Sequence, residues 1–316
     1  MTLGYLLRRL GAVVLVLAIV TFAVFAVTML LPGNAAVMIL GEYGSPEQVA
    51  ALERQLGLDQ PWWAQYVSWV SGAVQGDFGQ SLRLSLPVTE VVLPALANSA
   101  ALAAVALTAV TVIAIPLGAL GALRRGTRTD LGIGLFSYIG ASMPEFVTAT
   151  ILLVLFAGPG REFLPAGGFV SPGDDFMGFL AHAALPATAL GLILMAHISR
   201  QVRSEMSDVL ASDFVRAARL KGLSERRVIW RHAMPNSLAP AVAVISLDIG
   251  YLLGGIIVVE EIFAWPGLGR LLIYALENRD LPVIQAVTLL LAMVYALSNL
   301  LADIVIALLD PRVRYA

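Results

Sequence analysis

Cysteine is absent from this 316-residue chain, and charged residues make up only 13% of it. The missing thiols exclude disulfide bonds, zinc–cysteine sites and thiol catalysis. A net charge of −2 gives no global field that would mark a nucleic-acid-binding protein. Lys221 is the only lysine and Gly222 follows it, whereas a phosphate-binding loop needs a lysine followed by serine or threonine. The chain therefore lacks that machinery for hydrolysing ATP.

Histidine is also scarce, and the three histidines, His182, His197 and His232, do not form the HExxH pattern of a zinc site. Each is better explained by packing or local hydrogen bonding than by metal ligation. The sequence GASM at 140–143 lacks the second glycine expected around the nucleophile of an intramembrane serine protease. We therefore predict no catalytic residue, no metal site and no cofactor bound to this chain.

Long apolar runs dominate the sequence, in which 59% of residues are hydrophobic. A bilayer core about 30 Å thick needs about 20 apolar residues in a helix, and six runs are long enough. The first follows Arg8 and Arg9 like a signal peptide, but its length and the poor cleavage site at 30–33 favour a retained helix. The predicted spans are Leu10–Leu31, Ala95–Leu123, Leu131–Gly158, Phe176–Ser199, Ala233–Val259 and Leu281–Leu309.

The distribution of arginine predicts the orientation of these spans. With the N-terminus in the cytoplasm, fifteen of the twenty basic residues fall on inside segments and five on outside segments. Such an excess is typical of cytoplasmic loops. Six spans also return the C-terminus to the cytoplasm, where Arg312 and Arg314 lie.

The outside segment between residues 32 and 94 is too long for a simple connection and carries helix signals of its own. Ser45 and Gln48 form a capping-box pattern around Pro46, and Gly57 supplies a stop. A second helix is predicted from about Pro61 to Gln75, with aromatic residues on one face that suit packing or the membrane–water boundary.

A polar, arginine-rich insert between Ser212 and Ser237 separates two apolar runs. We predict a short helix that Ser212 and Asp213 cap and Gly222 ends, then a second helix beginning near Ser224. Two readings remain open. The insert docks onto a soluble partner, with small residues at 217–218 offering a smooth surface, or it is a solvated loop with ordinary cytoplasmic arginines.

Short motifs extend beyond this insert. The insert contains two alanines (Ala217 and Ala218), a glycine four residues on, and His232 three residues before Pro235. In this arrangement the chain resembles the dipeptide/oligopeptide subfamily of binding-protein-dependent ABC importer permeases. The other motifs of this resemblance are LGLDQP at 56–61, GDFGQS at 76–81, LPAGG at 164–168, EEIFAWPGLG at 260–269, RD at 279–280, NLLAD at 299–303 and DPR at 310–312.

The resemblance implies an all-α membrane protein with six transmembrane helices. Its fold would be the type I ABC importer transmembrane domain, with an extra external helical region after the first span. Residues 1–94 would hold the first helix and the external region, residues 95–310 the transmembrane core with a coupling segment at 211–234, and residues 311–316 a cytoplasmic tail.

The implied function is that of a membrane-spanning permease subunit of an ATP-driven importer in the bacterial cytoplasmic membrane. It would form half of the translocation pathway for di- or oligopeptides; nickel chelates, glutathione and sugars are alternative substrates. The implied partners are a second, homologous permease, two ATP-binding cassette ATPases that hold ATP and magnesium, an external solute-binding protein and the lipid bilayer. A secondary transporter or a membrane scaffold is disfavoured, because nothing suggests the inverted repeats or broken helices usual in secondary transporters.

The resemblance also implies which residues couple this chain to its ATPases. Where many ABC importers of other substrate classes have a glutamate before the paired alanines, this chain has Arg216, so an ion pair of the usual polarity is not expected. The coupling residues would be Asp213, Arg216, Ala217, Ala218, Arg219, Lys221, Gly222, Leu223 and His232.

Three acidic residues, Glu145, Asp248 and Asp303, fall inside predicted spans. Charge at mid-bilayer is costly and usually faces a cavity or a partner. Glu145 and Asp248 either face the translocation pathway, where they would meet a peptide's ammonium end, or hold helices together. For Asp303 we favour a structural role.

A further group of residues follows the fifth predicted span, where it reaches the outer face. These residues would form an external gate or contact the binding protein, or they are simply a capped helix end with a tight turn. They are Glu260, Glu261, Phe263, Pro266 and Gly267.

Overall fold

A computed structural model describes residues 3–30, 37, 40, 45–55, 57–160 and 163–309. Within these ranges the regular structure is helical, and the only β-type pairing is an isolated bridge between Gln80 and Pro87. The helices are α1 (Leu3–Leu30), α2 (Pro46–Gln55), α3 (Trp62–Val74), α4 (Val88–Leu123), α5 (Arg128–Ser142), α6 (Glu145–Phe156), α7 (Phe176–Ala211), α8 (Asp213–Leu220), α9 (Glu225–Arg227), a π-helical turn (Val228–Ala233), α10 (Met234–Ile262), α11 (Leu268–Glu277) and α12 (Leu281–Leu309).

Several of these helices are long and apolar enough to cross a membrane. Over the described residues the stretches Leu7–Leu30, Val88–Leu123, Phe176–Ala211 and Leu281–Val305 qualify, and the number rises to five if α5 and α6 form one span. Helix α10 covers the remaining predicted span. The protein is therefore helical and crosses the membrane several times, while the count of six remains a prediction.

The third predicted span is not a single straight helix. Helices α5 and α6 meet at an angle of 109° across Met143 and Pro144. Proline has no N–H to donate and disfavours helical geometry in the residue before it, and Met143 is accordingly extended. Our expectation that nothing in this chain suggests a broken helix was therefore wrong at this position.

The chain divides into two compact units. The first contains the described parts of Met1–Arg9, Ala100–Trp265 and Leu297–Ala316. Its central element is α7, against which α5, α6 and α10 pack. Small residues let α4 approach α7 closely: a Cβ added to Gly191 would lie 2.7 Å from Val110 Cγ2, and one added to Gly118 would lie 2.8 Å from Val202 Cβ. Close packing of this kind replaces the hydrophobic effect as the main attraction between membrane helices.

The second unit comprises the described parts of Leu10–Ser99 and Pro266–Ala296. The predicted capping box is confirmed at α2, because Ser45 N–H donates to Gln48 Oε1 (2.9 Å) and Gln48 N–H donates to Ser45 Oγ (3.3 Å). Gly57 has φ +69° just beyond α2, as predicted for a helix stop. Helix α3 also matches its predicted range.

The aromatic residues of α3 pack on α1. The Tyr66 ring lies 5.9 Å from Phe22 and 5.4 Å from Phe25, and its hydroxyl is 3.0 Å from Thr21 Oγ1. Trp69 stacks on Phe25 at 6.2 Å. Of the two roles proposed for these aromatics, packing therefore applies to Tyr66 and Trp69.

A buried carboxylate fixes the loop that follows α3. Asp280, which is fully buried, accepts hydrogen bonds from Ser81 Oγ (2.5 Å), Leu82 N (3.1 Å) and Arg83 N (3.3 Å). The GDFGQS and RD motifs, distant in sequence, therefore meet at one point of the second unit.

We expect Asp280→Ala to destabilise the protein by about 2–4 kcal/mol, because it leaves these buried donors without an acceptor. Thermal unfolding of the detergent-purified protein measures the loss. Asp59→Ala, which removes an exposed aspartate of the same unit, should leave the Tm within about a degree of wild type, as surface substitutions usually do. Equal Tm values for the two variants would contradict the assigned role.

Candidate functional site

The end of α7 presents the arginine-rich insert. Helix α7 has 36 residues, which corresponds to about 54 Å at 1.5 Å per residue, so it is much longer than a bilayer core of about 30 Å. Its apolar part ends near Ser199, and the following twelve residues lead directly to α8. The insert is thus carried by a rigid extension of a transmembrane helix.

Helix α8 begins at Asp213 with Ser212 in the N-cap position. The Ser212 hydroxyl does not cap the helix as predicted, because it donates to the carbonyl of Val209 at 2.5 Å instead. Asp213 lies in the first turn and pairs with Arg216 at 3.4 Å, with both side chains largely exposed. In this pair the acid, Asp213, precedes Arg216. In importers with a glutamate before the paired alanines, the acid stands in the place of Arg216.

The C-terminus of α8 matches the prediction. Gly222 adopts φ +78°, and a Cβ there would meet no atom within 4 Å. Leu223 N–H donates to Ala218 O (3.3 Å) and Gly222 N–H donates to Arg219 O (2.9 Å). This pattern is a Schellman motif, which places a left-handed residue, usually glycine, after the helix.

The two faces of α8 have different roles. Val215 and Ala218 are buried against Val228, whereas Ala217 is exposed. The predicted smooth alanine surface is therefore wrong for Ala218, because residues three apart on a helix share a face and Val215 directs that face inward. On the outward side Phe214 is 47% and Leu220 83% exposed.

The turn after α8 is closed by a two-point ion pair. Arg219 donates from Nε to Glu225 Oε1 (2.8 Å) and from Nη2 to Glu225 Oε2 (3.3 Å). Beyond it, helix α9 passes without interruption into the π-helical turn that contains His232. The turn ends at Met234, whose backbone N–H donates to the Ile229 carbonyl, and the Asn236 side chain donates to the His232 carbonyl at 2.7 Å.

A further ion pair ties α7 to the first turn of α5 and to the loop before it. Arg203 donates from Nε (2.5 Å) and Nη2 (2.8 Å) to the two oxygens of Asp130. Asp130 also accepts from the backbone N–H of Gly126 at 2.9 Å. With only 9% of the Asp130 side chain exposed, this bidentate pair is shielded from solvent on one side and anchors the part of α7 that leads to α8.

Three acidic residues of the predicted spans have different surroundings. Asp303 forms an ion pair with Arg9 at 2.8 Å, which supports a structural role. Asp248, on α10, lies 3.8 Å from His197 Nδ1 of α7. Glu145 follows the α5–α6 break and contacts α10 at Gly255, where a Cβ would lie 3.2 Å from Glu145 Oε1.

Two further residues join this polar group and were missed by sequence reasoning. His197 was assigned to packing, and Tyr251 was not singled out. The rings of His197 and Tyr251 are 6.2 Å apart, and Tyr251 also interacts with Glu145. The helical spacing of Asp248 and Tyr251, three residues apart, is the signal that would have placed both on one face.

The predicted gate residues are mostly buried. In the first unit Glu260 and Phe263 have no exposed surface of note, Trp265 N–H donates to Glu260 O (2.8 Å), and Gly168 N–H donates to Phe263 O (2.9 Å). Glu261 is exposed. In the second unit Gly267 is buried, and Asn98 Nδ2 donates to the carbonyl of the exposed Pro266 at 2.9 Å.

The acidic and histidine side chains of the described residues are not grouped as a metal site requires. In the ranges that the structure describes, no three His, Asp or Glu side chains are close enough to hold a metal ion. The features available for function are therefore an exposed apolar helix face, a set of arginines and an intramembrane polar cluster.

Comparison with known protein families shows the family to which this chain belongs. Residues 114–315 match the family described as binding-protein-dependent transport system inner membrane component, and residues 2–99 match the N-terminal membrane component of such systems. The chain belongs to this family: it is an ABC importer permease, a multi-pass inner-membrane transport component.

Full-length relatives carry names from peptide transport. The dipeptide transport system permease protein DppB of Escherichia coli K12 is 38% identical over 340 residues, covering 99% of each chain. The DppB protein of Alkalihalophilus pseudofirmus is 37% identical over 333 residues, covering 99% of this chain and 100% of the relative. A probable peptide ABC transporter permease of Sinorhizobium fredii is 35% identical over 311 residues, covering 98% and 99%. The predicted resemblance to the dipeptide/oligopeptide type is confirmed.

The Asp130–Arg203 pair, which precedes the insert, and the Asp213–Arg216 pair within it should differ in strength. In a double-mutant cycle, Asp130→Ala and Arg203→Ala should show a coupling energy of about 1–3 kcal/mol, because the pair is bidentate and partly buried. The exposed Asp213–Arg216 pair should show less than about 0.5 kcal/mol. Thermal unfolding of the purified variants measures both; equal coupling energies would refute the anchoring role of Asp130.

Proposed function

We propose that this chain forms half of the translocation pathway for di- or oligopeptides, which an external binding protein delivers and ATP hydrolysis on partner subunits drives. The names of the full-length relatives support a peptide substrate. A second, homologous permease would complete the pathway, and two ATPases would dock from the cytoplasm. Both termini and the insert lie on the cytoplasmic side in this proposal, as the arginine distribution favours.

The exposed apolar face of α8 carries this proposal. Exposure of Phe214 and Leu220 to water does not stabilise a short, polar helix. An apolar surface of this kind marks a protein interaction site. In this proposal these residues and Ala217 enter a cleft on the ATPase, with Asp213, Arg216 and Lys221 at the edge. Ala218, Leu223, Gly222 and the Arg219–Glu225 pair act from within, by fixing the shape of the docked element, and His232 lies in the π-helical turn behind it.

Motion would then pass from the ATPases into the membrane as rigid-body movement. The buried contacts of Val215 and Ala218 join α8 to its neighbours, and the Asp130–Arg203 pair holds α7 near its end. A displacement of α8 is therefore transmitted to α7, against which the other helices of the first unit pack. ATP would shift the balance between two such arrangements.

At the outer face we propose two separate contacts with the binding protein, because Glu261 of the first unit and Pro266 of the second unit are each exposed. Glu260 and Phe263 are buried in the first unit, and Gly267 is buried in the second. Glu145 and Asp248 would face the pathway itself.

Leu220→Ser tests the docking surface. We expect it to weaken co-purification of the ATPase subunits about tenfold, because truncating an apolar interface anchor costs 1 kcal/mol or more. Val74→Ser is a matched control, since Val74 is also 83% exposed and also ends a short helix, α3. Retained ATPases in Leu220→Ser, or peptide uptake by this subunit without any ATPase, would contradict the proposed function.

Gly222→Ala tests the shape of the docked element. The substitution places a side chain at φ +78°, which costs about 1 kcal/mol, and it should lower peptide uptake per ATP hydrolysed in reconstituted importer severalfold. Gly76→Ala is the control, because Gly76 follows the end of α3, has φ +82° and has an equally open surrounding. The proposal fails if both variants transport alike.

A further inference from the structure

The intramembrane polar cluster forms a stripe along one face of α10. Asp248, Tyr251 and Gly255 are separated by three and four residues, so they lie on the same side of the helix. They span about 10 Å at 1.5 Å per residue. His197 of α7 faces one end of the stripe and Glu145 of α6 faces the other.

One carboxylate oxygen in this stripe lacks a donor. Asp248 is only 8% exposed, and its Oδ2 atom is buried without a hydrogen-bond partner among the described residues. Its other oxygen lies 3.8 Å from His197 Nδ1, which is too long for a hydrogen bond. A buried carboxylate oxygen without a donor is costly, so the site is incomplete as it stands.

The opposite end is built by the break between α5 and α6. Glu145 is the first residue of α6, directly after Pro144, so the break places a carboxylate at a helix end within the membrane. The missing side chain of Gly255 lets this carboxylate approach α10. Non-helical backbone at membrane depth is tolerated where it is buried in protein or lines a cavity.

The chemistry of the stripe points to an organic cation. Two carboxylates flank Tyr251, whose ring is 43% exposed, and an aromatic face between acids suits an ammonium group. A metal ion fits poorly, because no three ligating side chains come close enough among the described residues. An ammonium group has three N–H donors, one of which would bond to the open acceptor Oδ2 of Asp248.

We propose that this stripe binds the terminal ammonium group of the peptide in transit, with Asp248 as its main acceptor, Tyr251 and Glu145 along its course, and His197 positioning Asp248. The inference rests on the proposed function, since it assumes a peptide substrate. The stripe would add a selection for a free amino terminus inside the membrane, independent of the external binding protein.

The test uses the complete importer in proteoliposomes with its binding protein and ATP. The probes are alanyl-alanine and propionyl-alanine, which lacks only the ammonium group, each supplied at equal measured occupancy of the binding protein. Wild type should take up alanyl-alanine about tenfold faster, as loss of a charge-assisted hydrogen bond predicts. Asp248→Asn should slow alanyl-alanine to the rate of propionyl-alanine, and Glu145→Gln should reduce the difference in part.

Two controls separate this inference from structural effects and from the proposed function. Asp303→Asn removes the same charge from an acid already paired with Arg9, and it should slow both probes equally or neither. ATPase activity stimulated by the loaded binding protein should stay within about twofold in Asp248→Asn, since docking at α8 is untouched.

Equal uptake of both probes by wild type, or unchanged discrimination in Asp248→Asn, would overturn the ammonium site and leave the permease function standing. Absence of ATP-driven uptake in wild type would overturn the peptide function itself.

Discussion

The bidentate contact between Arg203 and Asp130 is the interaction on which the arrangement at the end of α7 depends. Helix α7 continues for twelve residues beyond its apolar part. At that level a carboxylate that also accepts from the Gly126 backbone fixes the helix laterally. Because Arg203 lies in the part of α7 that leads to α8, this partly buried pair helps to fix the position of α8 relative to α5.

Local signals were the predictable part of this fold. The capping box at Ser45, the glycine stops at Gly57 and Gly222, and the extent of α3 all follow from residues within one helical turn of each other. Such features depend on the local backbone and on the side chains of near neighbours, and tertiary packing did not override them.

The parts that sequence reasoning missed depend on contacts between distant segments. Ser212 is a local exception, because its hydroxyl donates to the carbonyl of Val209, three residues earlier, and does not cap the helix. The proline after Met143 accounts for a break at this position, but it does not predict the angle of 109° between α5 and α6. The approach of His197 to Asp248 needs the alignment of α7 with α10, which a single sequence does not contain.

The π-helical turn at Val228–Ala233 has a geometric consequence for the whole subunit. It accommodates one residue more than an α-helical path of the same form, and one residue corresponds to a rotation of about 100°. The turn therefore sets the direction in which the arginines of α9 point relative to the stripe on α10. Removing one residue from this turn would therefore keep both segments but rotate one relative to the other by about 100°.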